Sequence, residues 1–133
     1  MIRYVHISSE EKCARLSDAL WGLAMPPKDR GANVTSGLFP CVNSVNGDCW
    51  MQVDIDCAIN IHPEAELDGI ADILQPWIDS GNLPADTNSN LATLIAANRG
   101  GTLTPWQFFP DFFKNASKTQ DEMVQAGLFP PPP

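Results

Sequence analysis

The sequence predicts an α+β fold. It reads as a small antiparallel sheet in β-α-β-β-α order, packed by helices, with a short helical C-terminal subdomain. Three observations carry that expectation. Alternating apolar residues mark strands at 1–7 and 49–62. Apolar residues at helical spacing follow each of these runs. Asn46-Gly47 is a hairpin signal, because a tight primed turn wants positive φ at both positions.

Met1 to Ile7 alternates and is rich in Ile, Val and Tyr. Ser8-Ser9-Glu10-Glu11 then contains S-x-x-E, a capping signature in which the hydroxyl takes a free backbone N–H. Cys13, Leu16, Leu20 and Leu23 line one helical face, and Met25-Pro26-Pro27 stops it. Residues 26–37 form a long polar loop that carries Lys28 and Arg30. Leu38 to Val45 is a weaker strand, and Pro40 assigns it to an edge or a bulge. The strand at 49–62 follows the turn.

Pro63-Glu64-Ala65-Glu66 opens a helix, since proline suits a first turn and the acids suit the positive end of the dipole. Leu67, Ile70, Ala71, Leu74 and Ile78 line its inner face, and Pro76 is expected to kink or end it near Gln75. Ser80 to Pro84 breaks the chain. Leu91 to Asn98 is a further helix, closed by Gly100-Gly101. Thr104-Pro105 is expected to open another, with Trp106, Phe109, Phe112 and Phe113 as its apolar side. Thr119 to Ala126 is the last helix, with Gly127 ending it. The expected organisation is a core at 1–82, a helical subdomain at 83–128 and a proline tail at 129–133.

The chain has 133 residues, 44% of them hydrophobic, enough for one domain with a genuine core. Its net charge is −8, and the placement matters more than the size. Between Gly31 and Asn98 there is no Lys or Arg, only Asp48, Asp54, Asp56, Glu64, Glu66, Asp68, Asp72, Asp79 and Asp86. Such a field repels phosphate backbones and anionic lipid, which argues against nucleic-acid and membrane partners. It favours a basic partner or a divalent cation. Acids that merely keep a protein soluble are the commoner case. The N-terminus lacks the apolar core of a signal peptide, so a cytoplasmic location and reduced cysteines are expected.

Residues 49–62 sort into two faces. Cys49, Met51, Val53, Ile55, Cys57, Ile59 and Ile61 make one; Trp50, Gln52, Asp54, Asp56, Ala58, Asn60 and His62 make the other. The second face is read as the wet side of a half-buried sheet. Cys49 and Cys57 are roughly 26 Å apart at about 3.3 Å per residue, too far for a bridge. A tight turn at Asn46-Gly47 places Cys41 opposite Gln52 or Val53, so Cys41 and Cys49 do not face each other. Cys13 lies on the covering helix and is expected near Cys57, both as buried thiols. The cysteine gaps do not match paired zinc spacing. Asp54, Asp56 and His62 are the weak metal candidates, and no cofactor is expected.

Catalytic signatures are missing: there is no G-x-S-x-G, P-loop, G-x-G-x-x-G or H-E-x-x-H. His6 reads as a structural strand residue and His62 as a cap at a strand-to-helix junction. The alternative reading is a small enzyme or ligand-binding domain. Its site would use the 26–37 loop, with Lys28 and Arg30 as anion contacts and a histidine nearby.

Residues 103–113, LTPWQFFPDFF, hold five aromatics, more than one short amphipathic helix usually buries. Trp106, Phe108 and Phe112 are therefore candidate partner contacts, as is Phe129 in the tail. The last five residues, FPPPP, resemble the proline-rich ligand motif bound by EVH1 domains, where an aromatic leads a polyproline II helix. The resemblance implies a docking peptide, although Leu128 stands where an acidic residue usually precedes. A stiff solvated tail is the competing reading. The leading functional expectation is a non-enzymatic protein–protein interaction or assembly module, with a larger particle such as a phage as one setting for it, and with a protein partner or self-association.

Overall fold

The computed structural model describes residues 1–7, 9–25, 39–56, 58–101, 103–107 and 116–131. Lys28, Arg30, Cys57, Phe108 and Phe112 lie outside the described residues, as do the loop at 26–37 and most of the predicted aromatic helix. The fold is α+β. A four-stranded antiparallel sheet in the order β2-β3-β1-β6 is built from β1 (Ile2–Ile7), β2 (Cys41–Asn43), β3 (Cys49–Asp54) and β6 (Ser117–Thr119). A separate two-stranded sheet pairs β4 (Ile59–Asn60) with β5 (Pro105–Trp106). The helices are α1 (Glu10–Ala24), α2 (Asp68–Asp79), α3 (Thr87–Arg99) and α4 (Gln120–Gln125).

One face of the sheet carries the main core. Val5, Ile7, Cys49, Met51 and Val53 point toward α1, which returns Cys13, Leu16, Leu20 and Leu23. Ser9 caps α1 by accepting the Lys12 N–H at 3.1 Å, one residue later than the Ser8–Glu11 spacing implies. Helix α2 adds Ile70 and Leu74 to this core. Gly22 makes room for it, since a Cβ there would stand 3.3 Å from Ile70 Cδ1.

The predicted strand at 49–62 is in fact two. It turns at Ile55-Asp56, where Asp54 Oδ1 accepts the Asp56 N–H at 3.1 Å. An aspartate bonding the backbone two residues on closes a turn and takes donors away from a ladder. The chain resumes at β4, which pairs with β5 in the register Ile59↔Trp106 and Asn60↔Pro105. Thr104-Pro105 therefore leads into a strand and does not open a helix. The competing interaction is a buried amide: Asn98 Oδ1 accepts the Thr104 N–H at 2.9 Å, while its Nδ2 donates to Ile61 O at 2.8 Å.

Helix boundaries also differ, and α3 begins at Thr87, ahead of the expected Leu91. Helix α2 starts at Asp68, because the Pro63 and Ala65 carbonyls are taken by Arg99, at 2.7 and 3.4 Å. It continues through Pro76 to Asp79. The second face of the sheet is not uniformly wet. Tyr4, Trp50 and Met123 are buried there, with Val42, Leu128 and Phe129 packed around them. Helix α4 and the residues after it lie over this face, on a chain that first adds β6 beside β1.

The largest correction concerns sulfur. The expected reduced state gives way to a disulfide between Cys13 and Cys41, with Cα atoms 6.2 Å apart. The reason is one residue of turn. Ser44 and Asp48 close the hairpin through Ser44 N–H to Asp48 O, 2.9 Å, leaving Val45, Asn46 and Gly47 as a three-residue loop. Gly47 alone takes positive φ, +89°, as in a type I turn followed by a bulge. The register becomes Cys41↔Met51 and Asn43↔Cys49. A tight turn would have set Cys41 against Gln52, on the other face. A shift of one residue reverses the face of every side chain, and here it aims Cys41 at α1.

Candidate functional site

The acids of the central stretch lie on the surface. Asp48, Asp56, Glu64, Glu66, Asp68, Asp72, Asp79 and Asp86 are exposed, and Asp54 is half-buried. Two of them already hold a cation from this chain. The amino group of Met1 donates to Asp54 Oδ1 at 3.0 Å and also contacts Asp56 Oδ2. These carboxylates, and Asp56 above all, raise the amine's pKa. His62 is not part of that pair. Its Nδ1 accepts the Glu64 N–H at 3.1 Å, which closes a turn; it caps no helix, because α2 begins only at Asp68.

Helix α2 holds a different arrangement. Asp68, Asp72 and Asp79 recur at i, i+4 and i+11, so they share one outward stripe opposite Ile70 and Leu74. Gln75 lies in the same stripe, donates to Asp79 Oδ1 at 2.8 Å and accepts from Asn88 Nδ2 at 3.1 Å. Asp68 suits the start of the helix. Asp79 is its last residue, where the dipole favours a cation, and the last turn holds no base. Asp68 and Asp72 repel at i, i+4. Beside Asp72 runs a groove of about 300 Å³ between α1 and α2, walled by Lys12 and Arg15 on one side and Pro76 and Trp77 on the other.

The aromatic candidates are placed differently from one another. Trp106 is 8% exposed and belongs to the main core. It also lines a groove of about 400 Å³ with Pro84, Thr87, Asn90, Thr93, Leu94 and Gln107. Phe129 sets its ring edge-on to Tyr4, with centroids 4.8 Å apart, and donates its N–H to Met123 O at 3.2 Å. The aromatic that leads the proline tail is thus held against the sheet. His6 stands half-exposed on the same sheet face, stacked near Trp50 and 3.5 Å from Asp48 Oδ2. That face is opposite the one holding Cys13.

The sulfurs do converge. Cys13 from α1, Cys41 from β2 and Cys49 from β3 place their Sγ atoms within 4.8 Å of one another. Among the described residues this is the group of His, Cys, Asp or Glu whose ligand atoms gather. Cys13 and Cys49 are buried at 0% and 4% exposure, and Cys41 is exposed at the sheet edge. Cys49 is a free thiol whose pKa is pushed up by burial, with a further push from the Glu10 charge. Asn43, paired with Cys49, holds Glu10 Oε1 through its Nδ2 at 2.9 Å. Nothing in the cysteine spacing announces this group; only the hairpin register does. Asn98 was equally invisible, an ordinary residue at the end of a helix until the second sheet forms around it.

Compared with protein-family models, with curated proteins and with solved structures, the chain matches none. No helix among the described residues is long and apolar enough to cross a membrane.

Proposed function

We propose that the protein is a non-enzymatic interaction module that docks a basic protein surface through the outward stripe of α2. The observation that supports this is a local conflict with stability. Asp79 opposes the helix dipole, at a cost of about 0.3–1 kcal/mol, and Asp68 repels Asp72 by a few tenths more. Acids placed only for solubility need not sit at the wrong end of a helix. A row of aspartates with no base on the same stripe is complementary to lysine or arginine on a partner. Electrostatic pairing of this kind raises the association rate most, and it weakens with salt.

The test separates a docking face from net charge. A lysine-rich peptide serves as the probe, with binding followed by fluorescence anisotropy at several ionic strengths. Two double variants of equal net charge are compared, Asp72→Lys with Asp79→Lys, and Glu11→Lys with Asp121→Lys. Binding to the first pair should fall about tenfold or more, and binding to the second should stay near that of the parent. Equal losses in both would mean that the peptide follows overall charge, and the docking face would be withdrawn.

A further inference from the structure

We infer that, once the Cys13–Cys41 bond is reduced, Cys13, Cys41 and Cys49 form a three-thiolate site for a thiophilic d10 cation of the zinc class. The site lies apart from the α2 stripe and does not rest on that reading.

The geometry carries the inference. Zinc–sulfur bonds of about 2.3 Å at tetrahedral angles put ligand sulfurs about 3.8 Å apart. The three Sγ atoms all lie within 4.8 Å of one another. They come from three elements of the core: Cys13 and Cys41 are joined by the disulfide, and Cys49 lies beside that pair. Cys49 sits beside the disulfide without sharing in it. Across β2 and β3 it is the diagonal neighbour of Cys41, because Cys41 faces Met51 and Cys49 faces Asn43. Diagonal neighbours have Cα atoms about 7–8 Å apart, beyond the usual disulfide span. An ion between two sulfurs bridges a wider gap than a sulfur–sulfur bond does. The third cysteine is therefore placed poorly for cross-linking to Cys41 and well for sharing a cation.

Burial and access fit the same use. Cys13 and Cys49 lie in the apolar core, which keeps water from competing. Cys41 is exposed on the edge strand, which gives an ion its entrance and gives the side chain room to turn. The Glu10 carboxylate, held by Asn43, adds negative charge near Cys49. Soft thiolates select soft cations, so magnesium and calcium are not expected here.

The chemistry closes in two steps. Two molecules of a small thiol reduce the Cys13–Cys41 disulfide, giving two protein thiols and the small thiol's own disulfide. Three S–H groups then exchange their protons for three sulfur–metal bonds, releasing three protons per divalent ion. In the oxidised protein two of the three sulfurs are bonded to each other, so the site is closed to metal.

Cadmium is the probe, because its thiolate bonds absorb in the ultraviolet. Anaerobic titration of the reduced protein should take up one ion per chain with the charge-transfer intensity of three thiolates. The oxidised protein should show none. Cys49→Ser should weaken the affinity by about tenfold or more and remove about a third of the intensity. Cys57→Ser should leave both unchanged. Circular dichroism in the same cell checks that the ion meets a folded chain. The inference is overturned if reduced protein takes up no cadmium at stoichiometric concentration. It is equally overturned if Cys49→Ser binds as the parent does, if Cys57→Ser loses the signal, or if reduction unfolds the chain and cadmium does not restore it.

Discussion

Asn98 is 2% exposed and ties two strands together with one side chain. It donates to the Ile61 carbonyl, ahead of Pro63, and accepts from the Thr104 N–H just before β5. Removing it leaves the buried Ile61 carbonyl unpaired, while the Thr104 N–H, on an exposed residue, can turn to water; an unpaired buried group costs about 1–3 kcal/mol. Asn98→Ala should therefore lower the unfolding free energy by about 1–3 kcal/mol in urea titrations. A loss below about 1 kcal/mol would show that the β4–β5 pair does not depend on it. Trp50 presents the opposite situation. Its indole Nε1 is buried with no partner among the described residues, so the ring contributes through packing against Tyr4 and Met123 rather than through a hydrogen bond.

At the scale of elements, α4 is the clearest case of a short helix held by its ends. Thr119 and Glu122 form a reciprocal capping box, with the Glu122 N–H to Thr119 Oγ1 at 3.2 Å and the Thr119 N–H to Glu122 Oε1 at 3.1 Å. The Thr119 backbone N–H, above all, holds the Glu122 carboxyl below the usual glutamate range, and the Thr119 hydroxyl and the charges of Arg3 and Lys118 act in the same sense. A lowered folded-state pKa means that the stabilisation is fully present above the unfolded glutamate pKa. It is lost as pH falls through the lowered value. Glu122→Gln should thus flatten the fall of Tm on the acid side; curves of equal slope for parent and variant would refute the linkage. Elements of this kind were legible in the sequence. Alternation exposed β1 and β3, the Leu16, Leu20 and Leu23 spacing exposed α1, and Thr119 to Ala126 with Gly127 after it marked α4. What stayed hidden depends on distant partners. A run of alternating residues does not say that Asp54 will cap Asp56 and divide it, nor that Pro105 will pair with Asn60. The acid stripe could be counted in advance, but its conflict with the helix end became visible only once the helix was seen to pass Pro76 and finish on Asp79.

Over the whole molecule, the Cys13–Cys41 bond joins the first helix to an edge strand across a sequence separation of 28 residues. Closing a loop of that length lowers the entropy of the unfolded chain by an amount equivalent to about 3–4 kcal/mol. Reduction in the absence of metal should lower the urea midpoint accordingly, with the slope of the transition changing as the unfolded chain expands. An unchanged midpoint would mean that α1 and β2 are held by packing alone. The three-residue loop between β2 and β3 has a consequence that reaches this far. Insertions and deletions at surface loops are ordinarily the most harmless of changes. Here the count of loop residues is a parity bit. With Val45, Asn46 and Gly47 in place, sulfur at position 41 looks inward; with one residue fewer it looks out through the opposite side of the sheet. A lineage that lost a single codon at this bend would keep every cysteine and most of its core, yet it would inherit a protein with a different redox chemistry.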